Sequence, residues 1–309
     1  MKLSSFVILF LVVSLQSAAQ PNLPRLAPLI FGSNSTMQTP TGILVSMRAG
    51  FFQYKNYYDG NGKKVDSEAT DVIMLLPNLS YAFPKPVLKA QYTAGLTFPM
   101  INLQPIVNGP TPTVISGLGL GDVVLIPVAL KWKFHPLYPS FAYNFISSSG
   151  RYSVDDPSNN LGAGYITHAL LLGLTYVFGE EERWSISGMN RFEFNGKQKE
   201  LDKYAGSNYT LDYAVAKKLN AKWRVAGIGY FTFQLDEERG KDAAKDTTKY
   251  RYMGLGVEGT YTPSHKVVLQ LRIFHDLFGV INASRKLGLY LNVAVPIGVP
   301  ILDDPENIE

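Results

Sequence analysis

The sequence predicts an all-β fold, a transmembrane antiparallel β-barrel of about twelve strands, on three observations. The first is alternation. Between Leu161 and Gly196, Ile166, Leu170, Leu172, Leu174, Tyr176 and Phe178 fall on one parity, then Trp184, Ile186, Gly188, Phe192 and Phe194 share a face opposite Ser185, Ser187, Arg191 and Glu193. A period of two means strand. The second is length: the apolar parity runs about 13 residues, or roughly 40 Å at ~3.3 Å per residue, which crosses a bilayer when tilted by about 40°. Strands of a soluble sandwich are nearer five or six residues long, at about half that span. The third is the connections, which alternate short and long along the chain, as they do when short turns face the periplasm and long loops face outward.

Composition bounds the class. At 309 residues and 46% hydrophobic, the chain can build one large domain. After the N-terminus no uninterrupted apolar run approaches a helical span. The count of Cys is 0, which excludes a disulfide framework, a thiolate metal site and a lipid-modified N-terminal Cys. The net charge of +4 comes without a basic run interleaved with aromatics, so nucleic acid is not an expected partner. Residues 1–19 read as a signal peptide: Lys2, an apolar core from Phe6 to Leu15, and Ser17-Ala18-Ala19 as a small-residue cleavage site before Gln20. A β-rich membrane protein exported in this way goes to the bacterial outer membrane.

The elements follow in order. Residues 20–41, rich in Pro, Leu and Ser, show neither period and form a periplasmic extension or a plug entering the barrel. The barrel then occupies residues 42–297. Gly42 to Tyr57 is the first strand, with Ile43, Val45, Met47, Ala49 and Phe51 on one side and Ser46, Arg48 and Gly50 on the other. Thr70 to Phe83 and Val87 to Asn102 are the next two, around Pro84-Lys85-Pro86. Asp122 to Phe134 puts Val124, Ile126, Val128, Leu130 and Trp132 outward and Lys131 and Lys133 inward. Phe141 to Ser147 precedes the hairpin described above. Tyr209 to Leu219 and Trp223 to Leu235 are joined by Asn220-Ala221-Lys222, and Tyr250 to Tyr261 and Val267 to Asp276 by a turn at residues 262–265. Leu277 to Ser284 is expected as a loop, and Leu287 to Ile297 as the last strand, its outward parity wholly apolar. Residues 298–309 form a periplasmic tail.

Several segments then carry a recognisable text. Tyr57-Tyr58-Asp59-Gly60-Asn61-Gly62, Gly119-Leu120-Gly121-Asp122, Gly150-Arg151-Tyr152, Phe192-Glu193-Phe194-Asn195-Gly196-Lys197 and Leu211 to Lys218 occur in this order. Together they resemble the outer-membrane transporters associated with the meta-cleavage pathway of phenol degradation. The resemblance implies a monomeric barrel passing small hydrophobic or aromatic compounds, distantly akin to the long-chain fatty-acid channels. The chain departs from the family at Ser148-Ser149-Gly150, at Ile166 and Leu170, and in lacking a terminal Phe on its last strand.

The inward parity offers a track of Arg48, Lys131, Arg191, Glu193, Arg224 and Arg272 with the rings of Tyr230, Tyr252 and Tyr290, which suits a phenolic or weakly acidic solute. The same charges read equally as an ion-pair network that fills the lumen. Pro77, Pro99 and Pro127 lie within neighbouring strands, where proline removes a ladder donor. They mark either a bulge or a lateral opening into the bilayer. Of the four His, only His168 beside Thr167 could serve a barrel hydrolase, and no Ser is placed to pair with it; catalysis is not expected. No His/Asp/Glu cluster has metal-ligand spacing, and no cofactor is implied. The reading is a passive outer-membrane channel for small hydrophobic solutes, aromatic ones among them, a monomer bedded in outer-membrane lipid and lipopolysaccharide. The rival is a barrel with a closed lumen and a structural or surface-binding role.

Overall fold

The alternation along the chain is realised as strands β1 (Gly42–Tyr58), β2 (Lys64–Val65), β3 (Thr70–Ala82), β4 (Gln91–Thr97), β5 (Met100–Pro105), β6 (Ser116–Leu120), β7 (Val124–Lys131), β8 (Leu137–Ile146), β9 (Thr167–Phe178), β10 (Trp184–Asn195), β11 (Asn208–Lys218), β12 (Trp223–Gln234), β13 (Arg251–Ser264), β14 (Val267–Val280) and β15 (Ser284–Ile297). The computed structural model describes residues 24–58, 64–65, 70–105, 116–156, 159–243, 249–264, 267–280 and 284–297. The expected signal peptide, residues 1–19, and the expected tail, residues 298–309, lie outside the described residues.

From β7 to β15 each strand pairs antiparallel with the next, β3 pairs with β4 and β5, β4 with β7 and β5 with β6, and β1 pairs with both β15 and β3. The register runs from Ile43↔Ile297 to Asn56↔Ser284 on one side of β1 and from Gly42↔Ala82 to Tyr54↔Thr70 on the other. The sheet is therefore a closed barrel, in which β6 pairs on one side only, with β5. β4 and β5 both pair with β3 and make one wall strand interrupted at Phe98 and Pro99. β6 and β7 make another, interrupted at residues 121–123. β2 only extends β1 beyond the wall. With those two pairs merged, the barrel has twelve wall strands.

The two parities separate as the sequence requires. On β9, Leu170, Leu172, Leu174 and Tyr176 are 38–49% exposed, while Ala169, Leu171, Thr175 and Val177 between them are buried. An exposed face that is this apolar on strand after strand needs lipid against it. At the short-turn end the belt closes in stacked rings, Tyr176 on Phe178 and Trp223 on Tyr261. At the other end Phe192, Tyr209 and Phe233 form a second aromatic band. Aromatic side chains at both rims place polar edges at the membrane interface and apolar bodies below it.

Three expectations change. Val124 and Ile126 face inward, packed with Leu26, Ile146, Ala169 and Leu171, although simple alternation set them outward with Val128. The reason is a register shift between Leu125 and Val128 at Pro127: one extra residue in a strand exchanges its faces. The strand expected over Val87 to Asn102 begins at Gln91 and breaks at Pro99. The loop expected over Leu277 to Ser284 is mostly strand, and only residues 281–283 separate β14 from β15, so this outer connection is short.

Candidate functional site

The lumen holds the segment that precedes β1. From Pro24 to Thr41 the chain has no helix or strand; its backbone pairs with itself in turns, Ser35 to Gly32 and Met37 to Asn34, and a buried backbone group without a partner is costly. The wall supplies further partners. At the long-loop end the Arg25 amide donates to Glu193 Oε2 at 2.7 Å and the Leu26 amide to Glu193 Oε1 at 3.1 Å. Arg191 donates to the Leu26 carbonyl at 2.8 Å, and the Leu29 amide donates to Asp212 at 2.9 Å. Deeper, Arg272 donates to the Leu29 carbonyl at 3.0 Å while bound to Glu258 at 2.6 Å, and Ser33 donates to the same Glu258 through its amide and its hydroxyl. Thr36 meets Thr175 at 2.6 Å, and Gln38 and Thr39 reach the Lys131 carbonyl and Gln91 at the short-turn end, where β1 begins. The segment thus descends the lumen before the chain enters the wall.

Close packing fixes it there. A Cβ on Gly32 would stand 2.1 Å from Arg272 Nη2 and 2.4 Å from Glu258 Oε2. Arg191 and Arg272 are almost wholly buried, and a guanidinium in that position requires a charged partner and satisfied donors. Asp212, 3.6 Å from Arg191, and Glu258, 2.6 Å from Arg272, are the charged partners, while Arg191 Nε and Nη2 make no hydrogen bond.

Asp122 lies where the wall is interrupted and ties three parts together. It accepts from Arg25 at 2.5 Å, from the Gly150 amide at 2.8 Å and from the Ala163 amide at 2.8 Å, so the inner segment, the wall and the long loop before β9 share one carboxylate. Arg25 also donates to the Tyr165 carbonyl and lies 4.9 Å from the centre of its ring. Burial pushes the Tyr165 phenol up to about 12 despite that cation.

Of the lumen residues expected from sequence, Arg191, Glu193 and Arg272 bind the inner segment, and the Tyr290 hydroxyl approaches the Pro28 carbonyl at 3.5 Å. With the Asn34 carboxamide turned to satisfy both of its neighbours, its oxygen accepts from Arg224. Lys131 points inward by its register with buried Ser140. Tyr230 and Tyr252 belong to a group that sequence reasoning missed. Buried Arg285 binds Asp276 at 3.2 Å and the Tyr230 hydroxyl at 2.8 Å, with the rings of Phe52, Tyr54, Tyr230, Tyr252 and Phe274 5.3–6.0 Å from its guanidinium carbon. The available signal was the run of inward rings at Phe52, Tyr54 and Phe274 with no cation assigned among them. Arg25 was missed because it lies outside any alternation, and Asp122 because simple alternation set it with Val124 on the outward parity, whereas the wall is interrupted there.

Arg48 stands apart from these. It lines a cavity of about 530 Å³ between the inner segment and the wall from β1 to β8. Its Nε has no partner, and among the described residues no carboxylate lies within ion-pair distance of it. The cavity reaches Pro99 at the strand break. There the exposed backbone is mended locally: the Phe98 amide donates to the Pro77 carbonyl at 3.0 Å and the Gly121 amide to the Pro99 carbonyl at 2.7 Å. The Tyr92 hydroxyl donates to the Pro127 carbonyl. His168 faces lipid, its Nδ1 2.7 Å from the Tyr143 hydroxyl and its ring against Phe145. Among the described residues no group of His, Asp and Glu has the arrangement of a metal site.

The family described as "Putative MetA-pathway of phenol degradation" matches residues 55–280. The chain belongs to this family. The family member shares its fold with the COG4313 outer membrane channel from Pseudomonas putida F1, at a TM-score of 0.74 and 15% identity over 88% of this chain and 99% of that one. The TodX monoaromatic hydrocarbon channel, in a deltaS2S3 mutant, aligns at a TM-score of 0.45 and 10% identity over 85% and 93% of the two chains. No curated protein matches the sequence. With a closed twelve-stranded wall and an apolar belt between aromatic rims, the family member is an outer-membrane β-barrel.

Proposed function

We propose that this chain is a passive outer-membrane channel for small hydrophobic compounds, aromatic ones among them, acting as a monomer in lipopolysaccharide and phospholipid without catalysis. The observation that carries the reading is the cavity of about 530 Å³ inside the wall, apolar over much of its lining and adjoining the break at Pro99. A cavity of this size accommodates a single-ring molecule. In this reading a solute enters from the long-loop end and passes beside the inner segment, with Arg48 and Tyr290 along its way. Lys131, Arg191, Glu193, Arg224, Tyr230, Tyr252 and Arg272 keep the passage narrow by holding the segment and the rings in place. Apolar solutes leave sideways where Pro77, Pro99 and Pro127 interrupt the ladder.

Family membership supports the solute class, and the shared fold supports the barrel as the vehicle. The second reading, a closed barrel with a structural or surface-binding role, is favoured by one observation: wall charges bind the inner segment along its length. Recording in planar bilayers with and without phenol separates the two. The channel reading expects conductance that phenol alters and that rises when residues 24–38 are deleted. A barrel that stays silent in both forms overturns it.

A further inference from the structure

We propose that the cavity beside Arg48 binds small aromatic carboxylates, with the Arg48 guanidinium as the anion's partner. The inference deepens the channel reading and rests on it for passage of such a solute, while binding itself can be measured apart from passage.

The charges of the lumen nearly all answer one another. Asp122 is held by Arg25, Asp212 by Arg191, Glu258 by Arg272 and Asp276 by Arg285, and Glu193 accepts two amides of the inner segment. Arg48 is left over. Its carbon lies 5.9 Å from the centre of the Tyr290 ring, a weak substitute for a carboxylate. Its Nε is buried without an acceptor while the residue lines the cavity, and a carboxylate arriving at this fork of donors supplies the missing charge with two parallel bonds.

The rest of the cavity selects what arrives. Ser46, Asn78, Thr97, Asn144 and Asn292 line it, all neutral, so nothing there repels an anion except Asp122, which Arg25 already neutralises. Met74, Leu76, Ile101, Val124, Ile126 and Ile146 give it an apolar side that inorganic anions cannot use. Val124 and Ile126 face it only because Pro127 shifts the register of β7. Asn144 Oδ1 is buried without a donor, so a ring hydroxyl adds a further bond.

The test is calorimetric titration of the detergent-solubilised full chain with benzoate and with benzamide, which has the same shape without the charge. Benzoate is expected to bind at least about tenfold more tightly, the scale of one charge-assisted hydrogen bond. Arg48→Gln is expected to remove the difference and Arg48→Lys to keep part of it. Asn292→Asp, which sets a carboxylate opposite Arg48 in the β1–β15 register, is expected to remove it without touching the arginine. Equal binding of benzoate and benzamide by the natural chain overturns the proposal, whatever the variants do. So does benzoate binding that survives in both Arg48→Gln and Asn292→Asp. Flux into liposomes is read separately. Benzoate that binds but does not cross overturns the channel reading and leaves the site standing; neutral aromatics that cross while benzoate fails to bind do the reverse.

Discussion

Arg25 and Asp122 are 97 residues apart in the chain and 2.5 Å apart in the lumen, at the point where β6 gives way to β7. The pair anchors the upper end of the inner segment to the interrupted stretch of wall, and the two amides that share Asp122 bring in the long loop before β9. Asp122→Asn keeps the shape and removes the charge, forfeiting about 1.5–3 kcal/mol of charge-assisted bonding. The expected outcome is a noisier and several-fold larger single-channel conductance in planar bilayers. Conductance identical to that of the natural chain would show that the anchor does not hold the lumen closed.

Arg272 and Glu258 carry the middle of the same segment, and both are almost wholly buried. Arg272→Met strands Glu258 and removes the donor to the Leu29 and Ile30 carbonyls. A loss of about 3–5 kcal/mol in urea unfolding is expected. Arg272→Met combined with Glu258→Leu is expected to recover a large part of it, since the cost lies in the unpaired charge. A double variant as weak as the single one would place the cost in the lost backbone contacts instead.

Leu172 lies mid-strand on the lipid face of β9, while Leu235 lies at the long-loop rim after β12. An arginine at the first position is expected to cost about 2–4 kcal/mol of stability in lipid and at the second about 0–1 kcal/mol. Refolding titrations into liposomes read both. Equal costs would contradict the assignment of the belt to the membrane.

Thr97 and Val124 face each other in the β4–β7 register, next to the break at Pro99, and both line the cavity. The chain has no native cysteine, so Thr97→Cys with Val124→Cys can form only the intended bond. If solutes leave through this wall, uptake of an apolar aromatic falls on oxidation and returns on reduction. Uptake indifferent to the redox state would remove the lateral route and leave the axial one.

What the sequence determined by itself was the wall. Period-two alternation in β9, β10 and β15, with the charges of β10 on one parity, requires one greasy and one polar face over a bilayer's width, and this information is local. Tertiary structure decided the rest. Parity assigns a face only while the ladder is unbroken, so the shift at Pro127 turned Val124 and Ile126 inward and opened the apolar side of the cavity. The partner of an inward charge depends on which strands closure brings opposite it. Arg25 meets Glu193 across 168 residues and Arg272 meets the Leu29 carbonyl across 243, separations at which a one-dimensional pattern carries no signal. The same closure that satisfies those charges leaves Arg48 without an anion, because its cross-strand neighbours are Asn292 and Leu76.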